Sequence, residues 1–470
     1  MKYHVLALLV LSAVTHFIYF GRPAEVVFDE VHFGGFASAY DSGKYFFDIH
    51  PPLGKLLISG AGYIGGFKAT TADYGKIGNA FVDSRYIWYR ILPMLAGFLL
   101  PLVIFFLCFR LGLSRESSFL AGLFVILENS LLVQSRFMLL DSFLLLFGFS
   151  ALLFYFAAEQ TASRKAFLGL MALSAIAAAL SFSVKWTGLS FIGLIFLVEI
   201  WNVIRDIKNP KSWQAAISKI FFFCLIGFFI YFMIFAVHFA LLPKSGPGDA
   251  FMTPAFQKTL EGSIYANDPA IEPRNLFGKF LELNSEMYIA NETLSQTHQY
   301  SSLWYTWPLM LRPIYYWTDV HDATLTAGAT GTPAVESEIY LLGNPFIYWL
   351  SSAAMLFIAA DFLLRLRRPE SCKGCFIPAF LIVGYLANWL PFIFITRVMF
   401  IYHYFTALIF AIIALAYVVD RIEKPTVRRA AGISLIVLFC LSFIFWSPFS
   451  YGLPLSVHGQ DIRFWLQSWR

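Results

Sequence analysis

Charged residues are scarce in this chain. They make up 13% of its 470 residues, whereas a soluble globular domain carries roughly a quarter. Hydrophobic residues reach 59%, and phenylalanine alone occurs 52 times. A water-soluble fold of this length could not bury so much apolar surface. The composition therefore excludes an ordinary soluble protein and indicates that lipid is the main solvent.

Cysteine is also scarce. The five cysteines do not form a disulfide framework, and three lie in apolar runs, where a cysteine behaves as a small hydrophobic residue. Cys372 and Cys375 have the spacing of a zinc knuckle, but no second pair of ligands lies nearby in the sequence. We therefore predict no metal site and no cofactor.

Long apolar runs divide the chain, and each can cross a hydrocarbon core of about 30 Å. They lie at about 4–20, 91–109, 117–134, 138–158, 166–183, 187–204, 217–241, 345–366, 376–395, 398–419 and 430–448. The first run ends in bulky residues that do not suit a signal-peptide cleavage site, so we read it as a retained helix. We predict one all-α polytopic membrane domain over residues 1–470, with about eleven transmembrane helices.

Basic residues fall mainly in alternate short loops, as in the loops that contain Arg110, Arg164, Arg205 and Arg428. The positive-inside rule places this side in the cytoplasm. The opposite side carries a first long loop (21–90), a second long loop (242–344) and a tail (449–470). Long loops are usually functional, so we expect an extracytoplasmic site. The net charge of +5 reflects this orientation and gives no reason to expect a nucleic-acid partner.

An acidic pair, Asp29-Glu30, follows directly after the first run. Asp29 could cap a short helix whose dipole favours Glu30, or the pair could be catalytic. Further along the same loop, His50-Pro51-Pro52 precedes Lys55. A rigid turn with an exposed histidine and lysine is the simpler interpretation of that segment.

Four cations, Arg90, Arg136, Lys185 and Arg397, lie at the outer ends of predicted spans, where the orientation rule disfavours them. Any one of them could extend toward lipid headgroups, but together they predict a site for a membrane-borne phosphate. Glu128 and Asp141 lie within or beside spans, where pairing with a cation is the simplest role. His403, near an outer helix end, could be either a core histidine or a ligand-binding one.

Four stretches resemble the protein O-mannosyltransferase family. The stretches are Phe28-Asp29-Glu30-Val31-His32-Phe33 with Tyr45–Lys55, Gln134–Ser142, Ser183–Leu189, and Trp307–Pro313 with the Pro391–Leu408 region. They occur in the order found in the family and cover nearly the whole chain. The sequence departs from the family at two places. Tyr402-His403 stands where many relatives have two histidines, and Thr406 stands where a proline is common. These changes put the identity of the acceptor in more doubt than the donor chemistry.

The resemblance implies a C-type membrane glycosyltransferase of the prokaryotic type, without the β-trefoil module of eukaryotic members. It implies inverting transfer of mannose, or a similar hexose, from a polyprenyl phosphate to Ser or Thr hydroxyls of exported proteins. The expected partners are this donor, the acceptor protein and membrane lipid, in the plasma membrane or, in a eukaryote, the ER membrane with a lumenal site. A transferase acting on a lipid or cell-wall glycan and a transporter or flippase are the alternatives.

The resemblance also assigns roles to individual residues. It implies that Asp29 is the catalytic carboxylate and that Glu30 helps to bind the acceptor or to position the donor. It implies that Arg90, Arg136 and Lys185 are candidates for binding the donor phosphate. The weaker candidates are His50, Lys55, Glu128, Asp141, His298, Arg312, Arg397 and His403. Asn291-Glu292-Thr293 is a glycosylation sequon, which matters only in a source that glycosylates asparagine.

Overall fold

The computed structural model describes residues 1–294, 296–319, 335–367 and 374–470. Cys372 lies outside the described residues, so the expectation for the Cys372–Cys375 pair stays a prediction. The first half of the chain is almost entirely helical. Its helices are α1 (Lys2–Phe17), α2 (Glu30–Ser42), α3 (Leu53–Ile64), α4 (Ile87–Arg110), α5 (Arg115–Ile126), α6 (Asn129–Ser135), α7 (Asp141–Glu159), α8 (Arg164–Val184), α9 (Leu189–Arg205), α10 (Pro210–Leu241), α11 (Pro254–Gln257) and α12 (Leu276–Thr293).

The second half adds more helices and a small sheet. Its elements are β1 (Ile314–Thr318), β2 (Val335–Leu341), α13 (Pro345–Leu366), α14 (Phe376–Ala387), α15 (Phe405–Asp420), α16 (Pro425–Tyr451), β3 (Pro454–Ser456) and α17 (Val457–Asp461). The strands form one antiparallel sheet in the order β1-β2-β3. This sheet joins the second long loop to the tail.

Nine helical segments in the described part of the chain are long and apolar enough to cross a membrane, or ten if the bent pair α5 and α6 is one span. Each predicted apolar run contains a helix, and the multi-pass membrane architecture is confirmed. Helix α1 has 16 residues and is among the shorter apolar helices. The predicted number of about eleven spans is therefore not confirmed.

Two groups of packed helices meet in one apolar core. Helix α7 packs against α4 and α8, and α15 packs against α13 and α14. Helix α15 also contacts α5, which joins the two groups. Nearly every side chain of α15 is buried in this core, so the residues just before α15 are held firmly at the outer end of the bundle.

The third apolar run is broken where the sequence predicted a continuous helix. Helices α5 and α6 meet at an angle of 60°, and Glu128 stands at the break. Its fully buried carboxylate accepts hydrogen bonds from Leu131 N (2.9 Å), Ser130 Oγ (2.8 Å) and Asn344 N (2.7 Å). Glu128 therefore caps α6 and ties it to the start of α13, and it pairs with backbone groups instead of the cation that we expected.

Replacement of Glu128 by alanine should destabilise the fold. The change leaves two backbone N–H groups and a hydroxyl without their acceptor in a buried place, at a cost of about 2–4 kcal/mol. Thermal unfolding of the purified protein in detergent measures the loss. Glu116→Ala, which removes an exposed carboxylate from the first turn of α5, is the matched control and should leave the midpoint nearly unchanged. Equal midpoints for the two variants would contradict the capping role.

Candidate active site

Glu30 begins α2 and is completely buried. Its carboxylate accepts two hydrogen bonds from Arg90, from Nε at 2.8 Å and from Nη2 at 2.7 Å. It also accepts from Val27 N at 2.9 Å and Met138 N at 3.0 Å. With four donors on one carboxylate, Glu30 is placed as a support for the loop, and the geometry does not favour the acceptor-binding role implied by the resemblance.

Arg90 uses every guanidinium N–H within the protein. Besides the bonds to Glu30, its Nη1 donates to the carbonyls of Gly21 (3.2 Å) and Pro23 (2.6 Å), and its Nη2 donates to that of Glu25 (2.7 Å). The side chain has no exposed surface. Because no donor is left for a phosphate, this geometry does not support the predicted donor-binding role.

Arg136 is occupied in part, because its two terminal nitrogens bind the protein and its buried Nε has no hydrogen-bond partner among the described residues. Its guanidinium donates to the carbonyls of His16 (3.4 Å), Ile18 (3.0 Å) and Tyr19 (2.5 Å), which follow or belong to the last turn of α1. A cation at a helix C-terminus interacts favourably with the helix dipole, and the ring of Tyr451 covers the same guanidinium at 4.8 Å. Arg136 therefore anchors α1, and a phosphate-binding role is not supported here either.

Asp29 differs from its neighbour. It stands at the N-cap position of α2, but its side chain makes no capping hydrogen bond. Within the described residues, no hydrogen bond or ion pair reaches its carboxylate. Burial raises the pKa of the Asp29 carboxyl from 3.8 to about 6, against the lowering effects of His32 and Lys185. Asp29 is thus a partly buried acid without a side-chain partner in the described residues, and its raised pKa suits a general base.

Lys185 lies near Asp29 and precedes a short 3₁₀ segment at the outer end of α8. Its Nζ donates to Asp141 Oδ1 at 2.8 Å and lies 5.0 Å from the centre of the Tyr402 ring. The second oxygen of Asp141 accepts from Gln134 Nε2 at 2.6 Å. Asp141 therefore pairs with a cation, as expected, and holds Lys185 in place. An ammonium has three donors, and among the described residues this is the one hydrogen bond that Lys185 Nζ makes.

Lys185 opens onto the inner cavity, a space of about 520 Å³ between the outer ends of the helices. Most of its wall is apolar and comes from α7, α9 and the 3₁₀ segments around α14 and α15. The polar lining residues include His50, Asp141, Lys185, Asn291, Asn388, Arg397, Tyr402 and His403. Asp29 does not line this cavity, but it lies within electrostatic range of Lys185, Asp141 and Tyr402. Glu30, Arg90 and Arg136 do not line it.

Arg397 is one of the weaker candidates from the sequence. It lies just before α15, is partly buried, and lines the inner cavity. Among the described residues it has no ion pair and no hydrogen bond to its guanidinium. Burial lowers the pKa of Arg397. An unpaired, desolvated guanidinium at a cavity wall is suited to bind an anion.

The loop between α2 and α3 contributes another ion pair. Lys55 donates to Asp48, which the sequence analysis did not single out, and to the carbonyl of His50 at 2.7 Å. Burial lowers the pKa of His50 well below its usual value, so the imidazole is neutral at the cavity wall. Lys55 is buried by this pairing and serves to shape the loop.

The remaining candidates, His403, His298 and Arg312, lie in different places. His403 lines the inner cavity, and its Nδ1 lies 2.9 Å from Phe400 O. His298 packs edge-on against the Phe400 ring at 5.1 Å and lines neither of the two cavities described here. Arg312 lines a second space, the outer cavity, of about 580 Å³. Asn291, in the sequon, donates to Ile49 O (3.1 Å) and Met287 O (2.8 Å).

Sequence reasoning missed Asp48, Asn388 and Tyr402 as site residues. Each is a polar residue at the edge of an apolar stretch, which is a weak signal in a chain with many such positions. Asn388 and Tyr402 line the inner cavity, and Asp48 lies within electrostatic range of Asp29.

Replacements of Arg90 and Arg397 should have different effects on the stability of the fold, because Arg90 is paired and Arg397 has no partner in the described residues. Arg90→Met leaves a buried carboxylate unpaired, which costs about 3–5 kcal/mol, so folded protein should be lost. Arg397→Met removes a charge without a partner in the described residues and should leave the thermal midpoint unchanged or raise it. Thermal unfolding in detergent measures both. Similar losses from the two changes would contradict this division.

Two family patterns match the chain. The pattern described as dolichyl-phosphate-mannose-protein mannosyltransferase matches residues 6–243, and the C-terminal four-transmembrane region of protein O-mannosyltransferase matches residues 276–469. Protein O-mannosyltransferase 1 of Drosophila melanogaster is 37% identical over 270 residues, which is 55% of this chain and 30% of that protein. Dolichyl-phosphate-mannose–protein mannosyltransferase 1 of Saccharomyces cerevisiae is 34% identical over 270 residues, 56% of this chain and 33% of the relative. These matches cover about a third of either relative.

Solved structures show the same fold. The S. cerevisiae protein O-mannosyltransferase Pmt1–Pmt2 complex bound to the sugar donor matches with a TM-score of 0.89 at 21% identity, over 100% of this chain and 92% of that chain. An Archaeoglobus fulgidus oligosaccharyltransferase matches with a TM-score of 0.54 at 12% identity, over 99% of this chain and 58% of that chain. The folds agree along the whole chain, and the two family patterns together cover most of it. The chain belongs to the protein O-mannosyltransferase family.

Proposed function

We propose that this protein transfers mannose, or a similar hexose, from a polyprenyl phosphate to Ser or Thr hydroxyls of a polypeptide. The observation that carries the proposal is the unpaired, desolvated carboxylate of Asp29 close to a cavity lined by Lys185 and Arg397. A base and a phosphate site are the two groups that such a transfer needs. The names of the relatives support the choice of sugar and acceptor.

The leaving group is a phosphate, which departs as a stable anion and needs no general acid. Fixed positive charge near the departing oxygens stabilises the transition state, most strongly in a poorly solvated site. Arg397 offers an unpaired guanidinium, and Lys185 is held toward the cavity by Asp141. The proposal assigns this charge to side chains and includes no metal ion.

The acceptor hydroxyl is a weak nucleophile and must lose its proton as the new bond forms. Asp29 accepts that proton while the hydroxyl oxygen attacks the anomeric carbon and the phosphate leaves. With a pKa of about 6, Asp29 is ionised at neutral pH and is still a stronger base than an ordinary aspartate. A single displacement of this kind inverts the anomeric centre.

The lipid part of the donor requires an apolar surface that continues into the membrane. The inner cavity has such walls, formed by side chains of α7, α9 and α14. We assign the cavity to the extracytoplasmic side, because the basic short loops lie on the opposite side. The protein would therefore act on exported polypeptides, at the plasma membrane or, in a eukaryote, from the ER lumen.

Reconstitution of transfer tests this function directly. Purified protein is mixed with polyprenyl-phosphate mannose and a Ser/Thr peptide, and the peptide mass is followed. The expected result is a gain of one hexose. A mannosidase specific for the anomer opposite to that of the donor should remove it. Transfer to lipid or glycan acceptors with none to peptides would contradict the proposed acceptor class.

Asp29→Asn should lower the rate of transfer by roughly 10²–10⁴-fold, which is the usual contribution of a general base. The fold should survive, because the Asp29 carboxylate makes no hydrogen bond within the described residues. Its raised pKa means that its ionised form destabilises the folded state at neutral pH, so a neutral amide costs no stability. Initial rates and the thermal midpoint measure the two effects.

Asp73→Asn is the matched control, because Asp73 is an exposed carboxylate of the same loop. It should transfer at the normal rate. Full activity of Asp29→Asn would remove Asp29 from the mechanism, whatever the result for the control.

Arg397→Gln should weaken binding of the donor by roughly 10- to 100-fold, the loss expected for one charge-assisted hydrogen bond. Binding of polyprenyl phosphate alone, measured by its effect on intrinsic tryptophan fluorescence, reports on the phosphate without the chemistry. Arg85→Gln changes an exposed arginine of the first long loop, paired with Asp83, and should not change the affinity. Unchanged affinity in Arg397→Gln would place the phosphate elsewhere.

A further inference from the structure

Two uncharged polar residues that line the inner cavity, Asn388 and Thr406, have no role in the chemistry described above. Asn388 directly follows α14, and Thr406 is the second residue of α15. Each is only 6% exposed. Because a polar side chain in such a buried place is normally paired, the partners of these two residues indicate what they do.

Both side chains have hydrogen-bonding groups that the fold does not use. Asn388 Nδ2 donates to Gly384 O at 2.9 Å, which fixes the orientation of the amide. In the part of the chain that the structure describes, no hydrogen bond reaches Asn388 Oδ1 or the Thr406 hydroxyl. An amide has two donors and an acceptor, and a hydroxyl both donates and accepts. One N–H, one carbonyl oxygen and one hydroxyl are therefore left for a ligand.

The two residues lie beside one contact between α14 and α15. Tyr385 Oη and Tyr404 Oη are 3.0 Å apart, which joins α14 to the turn that leads into α15. Asn388 follows the first of these tyrosines closely in the sequence, and Thr406 follows the second. The two side chains therefore belong to one part of the cavity wall, which we call the polar corner (Asn388 and Thr406).

The polar corner adjoins the proposed phosphate site. Tyr402 precedes Thr406 by about one helical turn, and the centre of its ring lies 5.0 Å from Lys185 Nζ. Tyr402 is also within electrostatic range of Asp29. In the proposed donor, the group that lies next to the phosphate and within reach of the base is the hexose.

The chemistry of the polar corner suits a sugar better than it suits the rest of the donor. Sugar hydroxyls donate and accept hydrogen bonds, as the free groups of Asn388 and Thr406 do. An isoprenoid chain in the same place would leave these groups buried and unpaired, which is unfavourable. Most of the remaining wall is apolar, and a few polar groups in such a pocket fix the orientation of the ligand.

We propose that Asn388 and Thr406 bind hydroxyl groups of the donor hexose and determine which sugar is transferred. This inference rests on the proposed function and specifies its donor. The two side chains touch the sugar but take no part in the transfer of the proton. They are specificity residues.

Donors that lack one hydroxyl test these contacts. Polyprenyl-phosphate mannose and its 2-, 3-, 4- and 6-deoxy forms are compared as substrates of the unchanged protein, Thr406→Val and Asn388→Leu. With the full donor, each variant should lower kcat/KM about two- to tenfold, the loss expected for one hydrogen bond between uncharged groups. With the deoxy donor that lacks the paired hydroxyl, the same variant should cause no loss, because the hydrogen bond is already absent.

The donors are compared within one preparation of each variant, so a partial loss of folded protein cancels in the ratios. A loss of equal size for every donor would show that the two side chains act on something other than a hydroxyl, which overturns the inference. Normal transfer by both variants with every donor also overturns it and leaves the proposed function intact.

Polyprenyl phosphate without a sugar separates the hexose from the phosphate. Its affinity, measured by tryptophan fluorescence, should be the same in the unchanged protein and in both variants. The affinity for polyprenyl-phosphate mannose should fall about two- to tenfold in each variant. Equal losses for the two ligands would show that the polar corner binds the phosphate or the lipid, which overturns the inference.

Thr71→Val is the matched control, because Thr71 is an exposed threonine of the first long loop. It should bind both ligands with normal affinity. The binding test does not depend on transfer. Absence of transfer to peptides from every donor would contradict the proposed function, whereas a loss of affinity confined to the ligand with the sugar would still support the hexose contact.

Discussion

The buried pair of Glu30 and Arg90 fixes the part of the molecule on which the proposed chemistry depends. Its two parallel hydrogen bonds join the start of α2 to α4. Arg90 also donates to backbone carbonyls such as that of Pro23, and Glu30 also accepts from backbone N–H groups such as that of Met138. A buried ion pair stabilises a fold only when such additional bonds satisfy it. Here every guanidinium N–H is used, so the loop after α1 has one defined position. Asp29, the residue before Glu30, is placed by that loop although its side chain makes no hydrogen bond within the described residues.

The distribution of partners separates charges that support the fold from charges that are available to a substrate. Arg90 gives all its donors to the protein and Arg136 gives those of its two terminal nitrogens, and moving either would leave buried groups unpaired. Asp29 and Arg397 have no such partners in the described residues, and burial shifts the pKa of each toward its neutral form. A desolvated charge without a partner is unfavourable. A substrate that supplies the partner therefore binds with a more favourable free energy. Lys185 lies between these cases, with one donor fixed by Asp141.

Much of the fold could be predicted from sequence because hydropathy marks spans directly. Hydropathy could not show that the third apolar run breaks at Glu128, because Asn344, which donates to the Glu128 carboxylate, is 216 positions away in the sequence. Of the site residues predicted from sequence, Lys185 lines the inner cavity, and the catalytic role of Asp29 stays a prediction. The cations at outer helix ends look alike in sequence, however. What distinguishes Arg90 from Arg397 is the presence of a partner, and that is decided by tertiary packing.

The pH dependence of transfer in a single turnover tests most directly that the unpaired Asp29 carboxylate is the base. With donor and peptide saturating, the rate should rise about tenfold per pH unit below the Asp29 pKa of about 6 and level off above it, since only the ionised form accepts the proton. The inflection should disappear from the residual activity of Asp29→Asn. A rate that stays constant from well below this pKa to neutral pH, or an inflection that persists in the variant, would contradict the account.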